Sequence, residues 1–383
     1  MERDRARPVP GPGRRGVLRN LLVLGTAAPL AGVVSCARAR PAPGQFPAGL
    51  SSQQLAGQRV IYSYSGLTVP TALLRAITAG QAAGVIFFGE NISSDAQIAS
   101  VIQQLVRAQR HSPVSAPLLL MTDQEGGEVR RLPGPPVLSQ KQIGESPDPA
   151  AAASSAGAGA GQNLAGVGMN VNLAPVLDVY YESGNFIDQS QRSYSNEASV
   201  VTACGQAFIT AQQQTGVAAT AKHFPGLGSA TQAQDTDIGP VTLTVSLPEL
   251  RSKDEVPYRA AIVAGVRLIM VSWAIYPVLD ATNPAGLSST VVQGELRGRL
   301  GYQGVTITDA LEAGALTAFG SSGQRAMLAA RAGMDLLLCS AQDPGQGQAV
   351  TSALAGALDS GQLDPATFNA AVHRVTALRG LVR

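Results

Sequence analysis

The chain has 383 residues, of which 45 % are hydrophobic and 14 % charged, a composition that excludes an extended disordered protein and supplies apolar side chain for one large core. That length suits one α/β barrel or two modest domains and is too short for two large enzyme domains. The net charge of +2 is unevenly spread: six arginines against Glu2 and Asp4 give residues 1–35 a charge of +4, which leaves −2 for the rest and no basic surface for nucleic acid.

The first 35 residues have the layout of an export signal. Arg14-Arg15-Gly16-Val17-Leu18-Arg19 precedes an apolar run, Leu21 to Val34, shorter than the ~20 residues that an ordinary membrane-spanning helix needs. The paired arginines resemble a twin-arginine signal, and Val33-Val34-Ser35-Cys36 resembles a bacterial lipobox. Cys36 is therefore the expected lipid anchor, holding the protein on the outer face of the cytoplasmic membrane. Simple secretion, with cleavage near Ala37 or Ala39, is the alternative. Residues 36–54, rich in Pro, Ala and Gly without periodicity, form the expected tether.

From residue 55 to 383 the sequence alternates between β-rich runs and helical stretches. The runs start at Arg59, Gly84, Pro117, Gly168, Gly216, Arg267, Gly304 and Asp335. Several are continuously apolar, as parallel strands covered on both faces must be. Helices are expected at Asp95–Gln109, Ala150–Ala165, Ala198–Gln214, Asp254–Ala264, Gln324–Ala332 and Gly347–Leu358. Eight such units, uninterrupted by a linker, predict a single (β/α)8 barrel, an α/β fold of the TIM type. A doubly wound open sheet is the alternative, but no Gly-x-Gly-x-x-Gly follows the first run. Cys204 and Cys339 lie in apolar stretches and read as buried thiols. The three Cys and three His are scattered, so no metal site and no cofactor are expected.

Functional side chains of such a barrel sit at the C-terminal ends of its strands. That rule selects Asp123, Asp178, Lys222-His223, Ser272-Trp273 and Asp309. The segments from Asp123 to Arg131 (DQEGGEVRR), from Lys222 to Gly228 (KHFPGLG) and from Gly304 to Leu311 (GVTITDAL) together resemble glycoside hydrolase family 3. More narrowly they resemble its single-domain bacterial β-N-acetylglucosaminidases. AGMDLLLC from Ala332 fits the same pattern, and the resemblance covers about residues 55–380.

The resemblance implies retaining hydrolysis of a β-glycoside, which needs a nucleophilic carboxylate and an acid about 5–5.5 Å apart. Asp309 matches the nucleophile; its structural alternative is a helix N-cap over Ala310-Leu311-Glu312. Asp123, Arg131, Arg192, Lys222 and His223 match sugar-binding positions. Lys222 is one of only three lysines, and an ammonium has a different reach from a guanidinium. Arg192 lies within a segment, NFIDQSQRSY, longer than the family's usual one. Asp178 reads as a brace for its strand end.

The acid departs from the family. There, a mobile loop after KHFPG carries Asp-Ser-His, and the histidine is the acid/base. Here Asp235-Thr236-Asp237 stands in that place. Asp237 is one candidate acid/base and Asp235 a second, as acid or loop partner; an acid elsewhere, such as Glu182, is a further option. The remaining reading is a weakly active or glycan-binding lipoprotein. The expected activity is exo-β-N-acetylhexosaminidase on GlcNAc-containing muropeptide fragments, by a monomer without nucleic-acid partners. A β-glucosidase-type specificity, or transfer to phosphate, fits the same motifs.

Overall fold

Each of the eight β-rich runs forms one strand of a closed parallel barrel. In the computed structural model, which describes residues 49–382, these are β1 (Val60–Tyr62), β2 (Gly84–Ile86), β3 (Leu119–Thr122), β4 (Val171–Asn172), β5 (Ala218–Phe224), β6 (Leu268–Val271), β7 (Val305–Ala310) and β8 (Leu336–Leu338). Each strand pairs with its neighbours in sequence, and β8 closes on β1 through Val60↔Leu337 and Ile61↔Leu338. Arg14-Arg15, the apolar run to Val34, Cys36 and most of the tether lie outside the described residues. The helix Ser52–Gly57 begins inside the stretch assigned to the tether, held by a reciprocal Ser51–Gln54 capping box. The folded domain thus starts ahead of residue 55, because a capping signal was hidden in a polar, loop-like composition.

Strand side chains alternate between the two faces of the sheet. Leu119 and Met121, Leu268 and Met270, Val305 and Ile307, and Leu336 and Leu338 fill the barrel interior. Leu120, Ile269, Val271 and Leu337 pack outward under the helices. The expected helix Ala198–Gln214 is found with those bounds, and Asp95–Arg110, Pro149–Val167, Ser322–Ala332 and Pro344–Asp359 each slightly exceed the expected span. The Ala/Gly composition of Pro149–Val167 lets it lie against Ala198–Gln214, where a Cβ on Gly157 would come within 2.3 Å of the Phe208 carbonyl oxygen. Asp254–Ala264 is shorter than expected: a wide π-type turn (Leu250–Asp254) precedes a helix confined to Val256–Val263, with Pro257 near its start. Further helices are Thr71–Thr78, Gln140–Gly144, Phe186–Gln189 and Pro365–Arg379.

The N-terminal end of the barrel is closed by the last helix, whose Val375 and Leu378 join the interior cluster. Asp335, at the start of β8, is fully buried there. It accepts from the Thr306 amide at 2.9 Å, from Arg297 at 2.6 Å and from Arg374 at 3.0 and 2.8 Å. One carboxylate thus ties β7, β8 and the last helix together. Removing one partner of a buried ionic set leaves the others uncompensated, at about 3–5 kcal/mol. Asp335→Ala is expected to lose about that much stability in denaturant unfolding; a loss below ~1 kcal/mol would contradict this account of the barrel floor.

Candidate active site

The alternation that fills the interior also aims the last inward residue of each strand at the cavity above it. Following Ile307, the next inward position on β7 is Asp309; following Met121 it is Asp123; following Thr220 on β5 it is Lys222. All three line one cavity of about 220 Å³ at the C-terminal face, with Arg131, Arg192, His223 and Asp237. Leu173, Met270 and Leu338 line it as well and belong to the interior cluster, so the cavity ends blindly on the barrel core.

Arg131 reaches the cavity because the chain doubles back after β3. Gln124–Gly126 pairs antiparallel with Val129–Arg130, through a turn with positive φ at Gly126 and Gly127. The Arg131 amide then donates to the Asp123 carbonyl at 3.2 Å. Its side-chain Nε is buried without a hydrogen-bond partner.

Glu125, inside the recognised motif but absent from the expected site residues, organises the cations. It is almost fully buried and accepts from Arg192 through both oxygens, at 2.9 and 2.8 Å. Its Oε1 also lies 2.7 Å from the Lys222 ammonium. Burial alone would raise its pKa, but Arg192 and Lys222 outweigh this and bring it down to about 2. The Lys222 ammonium donates to Asp123 Oδ1 at 2.6 Å. Burial pulls its pKa down, while Asp123 and Glu125 more than restore it, so it stays charged. The guanidinium fork of Arg192 needs a bidentate acceptor. The DQEGGEVRR segment holds three carboxylates, Asp123, Glu125 and Glu128, and only the fold shows that Glu125 is the one that meets Arg192.

Asp178 is a brace, as its strand-end position implied. It has no exposed surface, and its Oδ1 accepts from the amides of His223 at 3.2 Å and Leu227 at 2.8 Å. Its Oδ2 lies 2.7 Å from His223 Nδ1. A carboxylate can only accept here, so Nδ1 carries the proton and Nε2 is the ring's remaining polar atom. The peptide bonds Lys222–His223 and Phe224–Pro225 are cis. Trp273, also at a strand end, is fully buried; its Nε1 donates to the Ala310 carbonyl at 2.8 Å and supports β7 from behind. Ser272 bonds Tyr276 at 3.1 Å and does not line the cavity.

Asp309 is part of β7 and starts no helix, so its N-cap alternative falls away. Its Oδ1 accepts from the Ala310 amide at 2.8 Å, and no cation pairs with it among the described residues. Asp237 lines the cavity from the loop after β5. Its side chain is exposed at the mouth of the cavity, yet partial loss of water, then the Asp309 carboxylate, then Asp235, raise its pKa to about 6. Asp235 does not line the cavity; its Oδ1 accepts from the Asp237 amide at 2.8 Å. Glu182 is exposed, and His111 and His373 likewise lie outside the cavity. Cys204 and Cys339 are buried and unpaired.

Beneath the same loop, Asp254 is buried, with Oδ1 unpartnered. Burial raises its pKa to about 8, although the Tyr181 hydroxyl donates to Oδ2 at 2.8 Å and partly offsets this.

A parallel barrel whose strand ends converge on a blind, hydrogen-bonding cavity containing two carboxylates free of cations has the layout of a glycoside-cleaving enzyme. The sequence comparisons make the assignment specific: the glycosyl hydrolase family 3 N terminal domain matches residues 60–378, and the chain belongs to glycoside hydrolase family 3. It is 48 % identical over 326 residues to an uncharacterized secreted glycosyl hydrolase of Arthroderma benhamiae, covering 85 % of this chain and 92 % of that one. The β-N-acetylhexosaminidase structure from Beutenbergia cavernae superposes with a TM-score of 0.80 at 33 % identity, covering 87 % of this chain and all of that one (100 %). A family 3 β-N-acetylglucosaminidase from Paenibacillus sp. FPU-7 gives 0.81 at 34 % identity over 87 % of this chain; the chain spans 63 % of that protein.

A carboxyl held protonated in the fold but ionised in the unfolded chain binds more protons when folded. Stability therefore falls as pH rises from the ordinary carboxylate range towards about 8 for Asp254. Asp254→Asn is expected to match the parent near pH 4 and to exceed it increasingly up to pH ~8, read as melting temperature against pH. A difference independent of pH would contradict the buried neutral carboxyl.

Proposed function

We propose that the protein is an exported, retaining exo-β-N-acetylhexosaminidase that removes terminal β-linked GlcNAc from peptidoglycan-derived fragments. The observation that carries the reading is the sharing of one blind cavity by Asp309, Asp237 and the sugar-binding set. A dead end of about 220 Å³ suits a chain terminus, not an internal segment of a polymer. The hexosaminidase names of the Beutenbergia and Paenibacillus proteins support the hexosamine specificity over a glucosidase one. The Arthroderma relative's description as secreted supports export, in keeping with the twin-arginine-like segment and the anchor proposed at Cys36.

In this reading, Asp123 and Lys222 hold adjacent hydroxyls of the terminal sugar, with His223, Arg131 and Arg192 around them. Asp309 is the group that attacks C1, and no cation among the described residues occupies its carboxylate oxygens. Asp237 protonates the leaving oxygen as the C1–O bond breaks, giving a glycosyl–Asp309 ester. Asp237, now a carboxylate, takes a proton from the water that attacks C1 and frees Asp309. A carboxylate at this position repels a phosphate dianion, which favours water as acceptor. Asp235, folded back on the Asp237 amide, serves as loop partner. The retained pair of carboxylates disfavours a binding-only protein, since holding a sugar needs no nucleophile.

Three measurements test this. A slow 2-fluoro glycoside of GlcNAc should leave a covalent adduct on the peptide containing Asp309, seen by mass spectrometry; labelling on another peptide, or inversion of the product anomer, would refute the mechanism. An acid with a pKa of about 6 must be protonated to act, so kcat/KM for a disaccharide should fall about tenfold per pH unit above that value. Asp237→Ala should slow disaccharide cleavage by ~10²–10⁴-fold and that of an activated nitrophenyl glycoside far less. Equal losses on both substrates would exclude Asp237 as the acid.

A further inference from the structure

The loop bearing Asp237 is fastened on two sides. On one side the Asn185–Gln189 segment holds its first half: Asn185 Nδ2 donates to the Gly228 carbonyl at 2.7 Å and the Phe186 amide to the Ala230 carbonyl at 3.4 Å. Gln232 Nε2 donates to Gln189 Oε1 at 3.0 Å. On the other side the turn that follows β7 holds its second half. The Gly314 amide donates to the Asp237 carbonyl at 2.9 Å and the Ala315 amide to the Thr236 carbonyl at 3.0 Å.

The second junction admits no side chain. A Cβ on residue 314 would come within 2.2 Å of the Ile238 carbonyl oxygen, 2.4 Å of its carbon and 2.9 Å of the Asp237 carbonyl oxygen. These are backbone atoms, which cannot yield by rotating a side chain. Gly314 begins the short 3₁₀ helix Gly314–Phe319, and only Leu311, Glu312 and Ala313 separate it from β7, which carries Asp309.

We propose that Gly314 is a positioning residue, the Cβ-free seat on which the Asp237 backbone docks, so that one short stretch of chain fixes the acid relative to the nucleophile. This rests on the reading of Asp237 as acid and goes beyond it: the loop is a fastened part of the active site, and the sequence on the far side of the cavity sets its height. The longer Asn185–Gln189 segment is then a second clasp on the same loop.

The test is Gly314→Ala in the full chain, compared with the parent and with Asp237→Ala on GlcNAc-β-1,4-GlcNAc and on dinitrophenyl GlcNAc. Misplacing a catalytic group by about 1 Å costs on the order of 10²-fold. The expected result for Gly314→Ala is a ~10²-fold fall in kcat on the disaccharide, a change of less than about fivefold on the activated substrate, and a displaced alkaline limb of the pH profile. KM should change little. If Gly314→Ala lacks a cooperative melt, Ala315→Pro, which removes the amide that donates to Thr236 and also stiffens the backbone at the seat, is read in its place. Substrate-selective loss in Asp237→Ala without it in the seat variant overturns this inference alone. Absence of selective loss in Asp237→Ala itself overturns the acid assignment and the inference with it.

Discussion

In a closed parallel barrel every second strand residue must face the interior, and the interior must be filled. This protein fills it with layers such as Met121, Met270, Ile307 and Leu338. Two residues further along, the same inward direction meets open space, and apolar side chains give way to Asp123 and Asp309. The site is therefore the continuation of the core by other residue types, and its precision derives from core packing. A slip of one residue in β7 would turn Asp309 into the helical layer and Thr308 into the cavity. The four strand pairings of β6 with β7, from Leu268↔Val305 to Val271↔Thr308, fix that register.

Charge is apportioned within the cavity in a definite way. Glu125 engages Arg192 and Lys222, and Lys222 also engages Asp123. These buried ions satisfy one another and hold their donors in fixed directions, as buried charge requires. Among the described residues the carboxylates of Asp309 and Asp237 have no such ion-pair partners. The imidazole of His223 is oriented by Asp178, which also binds two backbone amides of the KHFPGLG segment. A single buried aspartate thereby sets both the shape of the loop and the tautomer of the ring that it presents.

The proposed acid/base differs from the rest in standing on a loop instead of a strand. Its placement depends on contacts from two other parts of the chain, the Asn185–Gln189 segment and the turn at Gly314. Exchanging an imidazole for a carboxylate in this position changes the demands on the site: an aspartic acid must be kept protonated by its surroundings, where an imidazolium needs no such help near neutrality. Partial removal of water and then the neighbouring negative charges raise the Asp237 pKa in the required direction.

Much of this was open to reading in the sequence. Eight apolar runs with intervening helical periodicity led to the barrel, since continuous hydrophobic strands are stable only between helices. The motifs at the strand ends led to Asp123, Lys222, His223 and Asp309, because a strand end is a local feature and its direction follows from counting by two. Glu125, Gly314 and the choice between Asp235 and Asp237 were not legible in the same way. Glu125 matters through Arg192 and Lys222, 67 and 97 residues away, the first of these separations being that of its hydrogen bonds. Gly314 matters only because another loop's carbonyls lie where its side chain would be. The sequence by itself determined which elements form and which residue ends each strand, for these obey short-range periodicity; the tertiary structure alone decided which distant groups share a charge and which aspartate of the loop faces the cavity, because those outcomes depend on through-space contacts that no local pattern encodes.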